Sequence, residues 1–307
     1  MALYIGIDVG GTAIKGAVID ENGSLFGEDS VPTAGGEDIV NCIETLCNRL
    51  MKLNGEKVKG IGIGCAGVID SAGGTVVRAR NLFLENFPLV KLLKEKINLP
   101  VKITNDANAA ALGEAKFGAG KNYKNSIFVT LGTGVGGGIV IDGKLFEGNK
   151  SAGAEIGHMV IERGGEPCSC GRRGCFEAYS SATALKRLTK HAMEEDAGSA
   201  MWTKYTSDTV TGKTAFEFFQ TDHAAGEVVK KYIDYLACGL TNLANIFRPE
   251  IIMLGGGVSK EGERLTAPLQ EILDREMFAP PQYAPVKVAV ATLGSAAGAY
   301  GAAALFL

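Results

Sequence analysis

Residues 5–20 and 127–142 align without a gap, and this internal repeat constrains the chain more than any other feature. The first copy reads Ile5-Gly-Ile-Asp8-Val-Gly10-Gly11-Thr12-Ala-Ile-Lys15 and runs on to Asp20. The second passes through Thr130-Leu-Gly132-Thr133-Gly134-Val-Gly136-Gly137-Gly138 to Asp142. Each is an apolar run, a glycine turn, an apolar run and an Asp, which predicts two lobes with the same β-turn-β core. A chain of 307 residues suits two lobes of ordinary size, and 46% hydrophobic residues supply their cores.

Glycine turns let backbone N–H groups approach a phosphate with no Cβ in the way. Thr12 adds a hydroxyl, and Asp8 at the strand end could hold a magnesium ion through water. Taken alone, the first segment is explained equally well as a plain β-hairpin. The G-K-[ST] ending of a Walker loop is missing. Gly132 to Gly137 matches G-x-G-x-x-G, but Ile139-Val-Ile continues as strand where a dinucleotide site needs a helix, so a Rossmann site is excluded. Two such turns facing each other would enclose one nucleotide phosphate tail.

The second constraint lies at residues 155–177. Cys168, Cys170 and Cys175 fall within eight residues, with His158 upstream. Three thiolates and an imidazole complete a tetrahedral shell for zinc, and Gly171 and Gly174 allow the tight loop. With no vacancy for water, the zinc reads as structural. A disulfide is the competing explanation, but disulfides are rare inside cells and nothing here suggests export. Glu155 and Glu177 flank the shell, and His158 has a second ring nitrogen free to hydrogen-bond. Two carboxylates and an imidazole on a rigid loop suit a polyhydroxyl ligand.

This stretch resembles the zinc motif of the ROK family (repressors, open reading frames and sugar kinases), and the match covers every motif position. The resemblance implies that His158, Cys168, Cys170 and Cys175 bind zinc, while Glu155, His158 and Glu177 contact a sugar. It implies an α/β chain with the two-lobed actin-like ATPase (ribonuclease H-like) fold plus a zinc-binding loop. The phosphate turns are then assigned to ATP: Asp8, Gly10, Gly11, Thr12 and Lys15 in one lobe, Gly132, Thr133 and Gly134 in the other. Asn81-Leu82 resembles the sugar-side Asn-Leu segment. In Val101-Lys-Ile-Thr-Asn105-Asp106-Ala-Asn108, the resemblance makes Asp106 the general base and Asn105 a sugar ligand. Helix capping by Asn105 or Asp106 explains one polar residue there but not the whole string. Ile251-Ile-Met-Leu-Gly255-Gly256-Gly257 reads as a strand and a tight turn, which the resemblance places beside the adenosine. Cys65 stands where the family usually has proline.

The remaining chain reads more simply. Residues 37–53 form an amphipathic helix on Ile39, Ile43, Leu46, Leu50 and Leu53. Residues 60–67 form a buried strand, 180–195 a helix, and 224–247 a long helix ended by Arg248-Pro249. Residues 196–223 are polar and uncommitted. Cys42, Cys47, Cys65 and Cys238 sit among apolar residues as small core hydrophobes. His191 and His223 read as solvated helix residues. Residues 288–307 carry no charge and contain a Gly294/Gly298 GxxxG, so they are long enough to span a membrane. Val288-Ala-Val-Ala-Thr reads instead as a strand, and the Ala, Gly and Ser that follow as a close-packing helix. That helix is expected to return to the first lobe, giving lobes of 1–117 plus 295–307 and 118–294.

Together with these readings, the resemblance implies an ATP-dependent hexose kinase acting at the 6-hydroxyl, with glucose first and N-acetylmannosamine, mannose or fructose as alternatives. Its cofactors would be ATP, Mg2+ and structural Zn2+. The resemblance implies a homodimer. A net charge of −3 offers no general attraction to nucleic acid or to an anionic membrane. Asp8 arrives too early for a signal peptide, which points to the cytoplasm. A sugar-sensing repressor of the same family would carry a helix-turn-helix for which no room is expected before the first strand. A zinc hydrolase is disfavoured by the filled shell.

Overall fold

The computed structural model describes residues 1–54 and 57–307. Its class is α/β, as expected. β1 (Leu3–Val9) and β2 (Ala13–Asp20) pair antiparallel, with Asp8 opposite Lys15. β3 (Leu25–Pro32) adds antiparallel to β2. After α1 (Asp38–Asn54), β4 (Val58–Cys65) runs parallel to β1. β5 (Val68–Asp70), β6 (Thr75–Ala79) and β7 (Leu84–Phe87) form a small antiparallel sheet. α2 (Leu89–Lys96) leads to β8 (Val101–Asn105), parallel to β4, and then to α3 (Asp106–Phe117).

The second sheet begins with β9 (Ser126–Leu131), β10 (Val135–Ile141) and β11 (Lys144–Phe146). The zinc-type loop follows, then α4 (Glu177–Ser180), α5 (Ala182–Glu195), α6 (Thr214–Phe218) and α7 (His223–Phe247). β12 (Ile251–Gly255), α8 (Glu263–Glu276), β13 (Lys287–Val290) and α9 (Ala297–Ala304) complete the chain. The sheet orders are β3-β2-β1-β4-β8 and β11-β10-β9-β12-β13. In both, a three-strand meander is followed by two later strands. The repeat visible at 5–20 and 127–142 therefore extends to whole sheets.

Contacts divide the chain into two compact units. Unit 1 comprises Met1–Phe128, Gly138–Ala154 and Thr292–Leu307; unit 2 comprises Val129–Gly137 and Glu155–Ala291.

Unit 1 is held by an aliphatic core and by a seam of small residues. On α1, Ile39, Ile43, Leu46 and Leu50 recur at helical spacing and are all completely buried. Leu53 continues the pattern in sequence but is 69% exposed, because the helix has passed the edge of the core. α9 packs backbone to backbone. A Cβ on Gly6 of β1 would overlap Ala299 O, one on Gly62 of β4 would overlap Ala302 O, and one on Gly301 would overlap Ala109 O of α3. The uncharged C-terminal stretch is thus small because it must fit against β1, β4 and α3. No helix among the described residues is long and apolar enough to cross a membrane.

A fully buried carboxylate fixes the entry to α9. Glu114 of α3 accepts from the N–H groups of Ala119 (2.9 Å), Thr292 (3.0 Å) and Leu293 (2.7 Å). A buried anion is tolerable when hydrogen bonds replace its lost hydration, and here backbone donors do so.

Candidate active site

The residues singled out in the sequence fall into two groups, one in each unit. In unit 1 the β1–β2 turn is pinned by Thr33, whose Oγ1 donates to Gly10 O at 2.7 Å and whose N–H donates to Thr12 O at 3.1 Å. Asp8 lies on β1 just before this turn. Gly298, at the start of α9, has no Cβ because one would stand 2.8 Å from Asp8 Cγ. Burial, then the negative charge of Asp106, push the Asp8 carboxyl up to about 6, against the opposing pull of Lys15. Two half-buried carboxylates thus sit within electrostatic reach, a pattern that favours a shared cation or proton.

Asp106 and Asn105 are placed by the junction of β8 and α3. Asn105 is the N-cap: its Oδ1 accepts from Ala107 N (2.9 Å) and Asn108 N (3.2 Å), and its Nδ2 donates to Gly67 O (2.9 Å). Gly67 itself has φ +113°, a region open to glycine. Asp106 is then the first helical residue, with Oδ1 accepting from Ala107 N at 2.9 Å. Burial raises its pKa, while the Ala107 N–H and Asn105 oppose the rise. Asn108, two residues on, is buried with its Oδ1 unpartnered among the described residues. Asn81 is exposed in the turn after β6; its Cβ would lie 3.9 Å from one built on Gly11. Cys65, at the end of β4, is buried, and its thiol is pushed up to about 12 by burial and by Asp106 and Asp8, so it stays neutral.

In unit 2 the four ligand-type residues do converge. His158, Cys168, Cys170 and Cys175 place one ligand atom each within 4.8 Å of one another. His158 Nδ1 to Cys168 Sγ is 3.6 Å, and Cys170 Sγ to Cys175 Sγ is 3.7 Å. A tetrahedron with metal–sulfur bonds of about 2.3 Å has edges of about 3.8 Å, so the quartet fits a zinc ion. Gly171 and Gly174 both take positive φ, +88° and +81°, as the loop requires.

The loop is tied to the second glycine turn through Glu177. Its Oε2 accepts from Val135 N at 3.0 Å and its Oε1 from Ser169 Oγ at 3.2 Å. A Cβ on Gly134 would overlap Glu177 Oε2, so glycine is required there for the carboxylate to reach the turn. Glu155 is exposed at the head of the short turn carrying His158, whose N–H donates to Glu155 O. The turn after β12 packs on the same place: Gly256 (φ +85°) lies against the backbone of Leu131, the residue before Gly132. His191 and His223 are exposed helix residues, His191 lying 3.3 Å from Glu195.

Some site-shaping residues carried no signal in the sequence. Thr33, Ser71, Glu147 and the backbone of Val135 act through partners far along the chain. A polar residue at the end of a short strand, as Glu147 is after β11, is the only sign available beforehand.

The chain matches the family model described as "ROK family" over residues 4–307. It is 40% identical to a glucokinase of Halalkalibacterium halodurans, covering 97% of this chain and 93% of that protein. It is 37% identical to a glucokinase of Streptomyces coelicolor, covering 99% and 97%. Among solved structures, a ROK family glucokinase from Streptomyces griseus in complex with glucose and AMPPNP superposes with TM-score 0.81 at 36% identity, covering 99% of both chains. With the zinc-type quartet, the doubled glycine turns and a match running almost end to end, the chain belongs to the ROK family.

Proposed function

We propose that the chain transfers the γ-phosphoryl group of ATP to the 6-hydroxyl of a hexose, glucose above all. The observation that carries this reading is Asp106: a half-buried carboxylate with a raised pKa, fixed by the Asn105 cap and within electrostatic reach of Asp8. Relatives named glucokinase, and a related structure holding glucose and AMPPNP, support glucose and ATP as the pair.

In this reading Asp106 accepts the proton of the sugar 6-hydroxyl as that oxygen bonds to the γ-phosphorus and the bond to the ADP oxygen breaks. Asn105, Asn81, Glu155, His158 and Glu177 orient the ring hydroxyls. Magnesium, when bound, neutralises charge on the transferring oxygens. Asp8 would hold it through water, while Lys15, Thr12 and the N–H groups of the two turns cradle the phosphates. Gly255, Gly256 and Gly257 would border the adenosine. His158, Cys168, Cys170 and Cys175 would hold a structural zinc that keeps the sugar-side loop rigid. The base belongs to the unit expected at 1–117 plus 295–307, which also takes in residues 118–128, 138–154 and 292–294, and the zinc loop belongs to the other unit. The family resemblance supports a homodimer working in the cytoplasm; light scattering reads the assembly.

A coupled assay of ADP release over a panel of hexoses and amino sugars tests the reading. Glucose-dependent release with little hydrolysis in its absence is expected. Release that no sugar stimulates overturns it.

A further inference from the structure

Loop 147–154 leads directly into Glu155, and its backbone is strained. Lys150, Ser151 and Ala154 all lie in the left-handed region, at φ +51°, +57° and +62°. A side chain disfavours that region, so three such residues in five persist only if the surroundings hold them. The ties are visible. Glu147 Oε1 accepts two short hydrogen bonds, from Thr104 Oγ1 and from Ser71 Oγ, both at 2.6 Å. Ser71 N–H donates to Ser151 Oγ at 3.3 Å, and Gly153 N–H donates back to Glu147 O at 2.8 Å. Thr104 is completely buried, and it is the residue immediately before Asn105 and Asp106 on β8. Its hydroxyl has no access to water, so Glu147 is the acceptor that satisfies it.

We infer that Glu147 is a positioning residue for the sugar site, joining the end of β8 to the start of the loop that delivers Glu155. The inference rests on the kinase reading above. Glu147 acts through Thr104 and Ser71, whose hydroxyls it accepts from. Its carboxylate holds Thr104, and so the backbone carrying Asn105, and it clamps the loop whose last residue precedes Glu155. Both neighbours are assigned to the sugar and neither to the nucleotide. Loss of the clamp therefore acts on one substrate only, which a general loss of fold would not do.

The test is steady-state kinetics on the full-length chain with glucose and ATP varied separately. Glu147→Ala should raise the glucose KM about tenfold, the scale of a lost charge-assisted hydrogen bond, and leave the ATP KM within twofold. Glu147→Gln keeps an acceptor oxygen and should recover most of the loss. Thr104→Val should raise the glucose KM severalfold, and adding it to Glu147→Ala should change little further. If Glu147→Ala does not fold, Thr104→Val and Glu147→Gln carry the same comparison. An unchanged glucose KM, equal rises in both KM values, or full additivity of the pair would overturn the positioning role while leaving the kinase intact. Wild-type protein without sugar-dependent ADP release would overturn the kinase reading, and this inference with it.

Discussion

The two glycine turns share a backbone design and differ in what stands behind them. Under the alignment of 5–20 with 127–142, Asp8 corresponds to Thr130, Gly11 to Thr133 and Ala13 to Val135. Behind the first turn is a carboxylate pushed up by burial and by Asp106. Behind the second is Glu177, bonded to the Val135 N–H and anchored beside the cysteine quartet. Even the shared Asp diverges. Asp20 is buried and accepts from Asn22 N and Ser24 N, whereas Asp142 sits at φ +50° in a turn. Repetition of a supersecondary unit supplied the sheets; the chemistry came from the elements packed against each copy.

Several substitutions break or sharpen this contrast. The largest effect is expected at Asp106, which has no counterpart behind the second turn. Asp106→Asn should lower kcat with glucose by about 10²–10⁴-fold, the range for removing a general base. Glucose binding, read by calorimetry, should persist.

Asp8 comes next, and its effects on activity and stability have opposite signs. Below about pH 4 the group is protonated in folded and unfolded chains alike. Between there and about pH 6 only the unfolded chain ionises it, so stability falls as pH rises through that window. Asp8→Asn should remove this slope and stabilise the ligand-free protein at pH 7 by up to about 3 kcal/mol, read by denaturation at pH 5 and 7. Its turnover should drop by about 10²-fold, since an amide cannot replace the anion beside the metal. Wild-type activity should decline as pH falls through about 6.

On the other side of the comparison, Cys175→Ser or removal of zinc by a chelator should raise the glucose KM by about 10–100-fold, with loss of bound zinc measured in parallel. Gly134→Ala should destabilise by about 1–3 kcal/mol in denaturant titrations, because Glu177 must withdraw from the Val135 N–H. The same change at the aligned Thr12 should be nearly silent in stability. A small effect of opposite sign is expected from Ala154→Gly, which relieves a left-handed alanine and should stabilise by about 1 kcal/mol.

How much of this could be read beforehand follows from the range of the interactions involved. The zinc-type quartet was legible because three of its ligands lie within one short loop. The β1–β2 and β9–β10 hairpins were legible because apolar runs flank glycine turns. α1 was legible from periodicity up to Leu50, after which the core ends and Leu53 is left exposed. The sheet of β5, β6 and β7 was not, because its strands are only 3–5 residues long and Phe83 in a turn and Asn86 within β7 take positive φ, where no glycine marks them. α8 carries Pro268 inside the helix, a residue that ordinarily argues against one. Glu147 meets Thr104 from 43 residues away and Glu177 meets Val135 from 42, distances over which no local pattern operates.

The proposal at the centre of this account is that one hexose is held jointly by Asn105 and Asp106 of the first group and by Glu155, His158 and Glu177 of the second. A crystal structure of the protein with glucose and a non-hydrolysable ATP analogue tests it most directly. The account predicts the Asp106 carboxylate at about 2.6–3.2 Å from the sugar 6-hydroxyl, with Glu155, His158 and Glu177 on the ring hydroxyls. Glucose bound with its 6-hydroxyl out of reach of Asp106, or touching only one of the two groups, would contradict it.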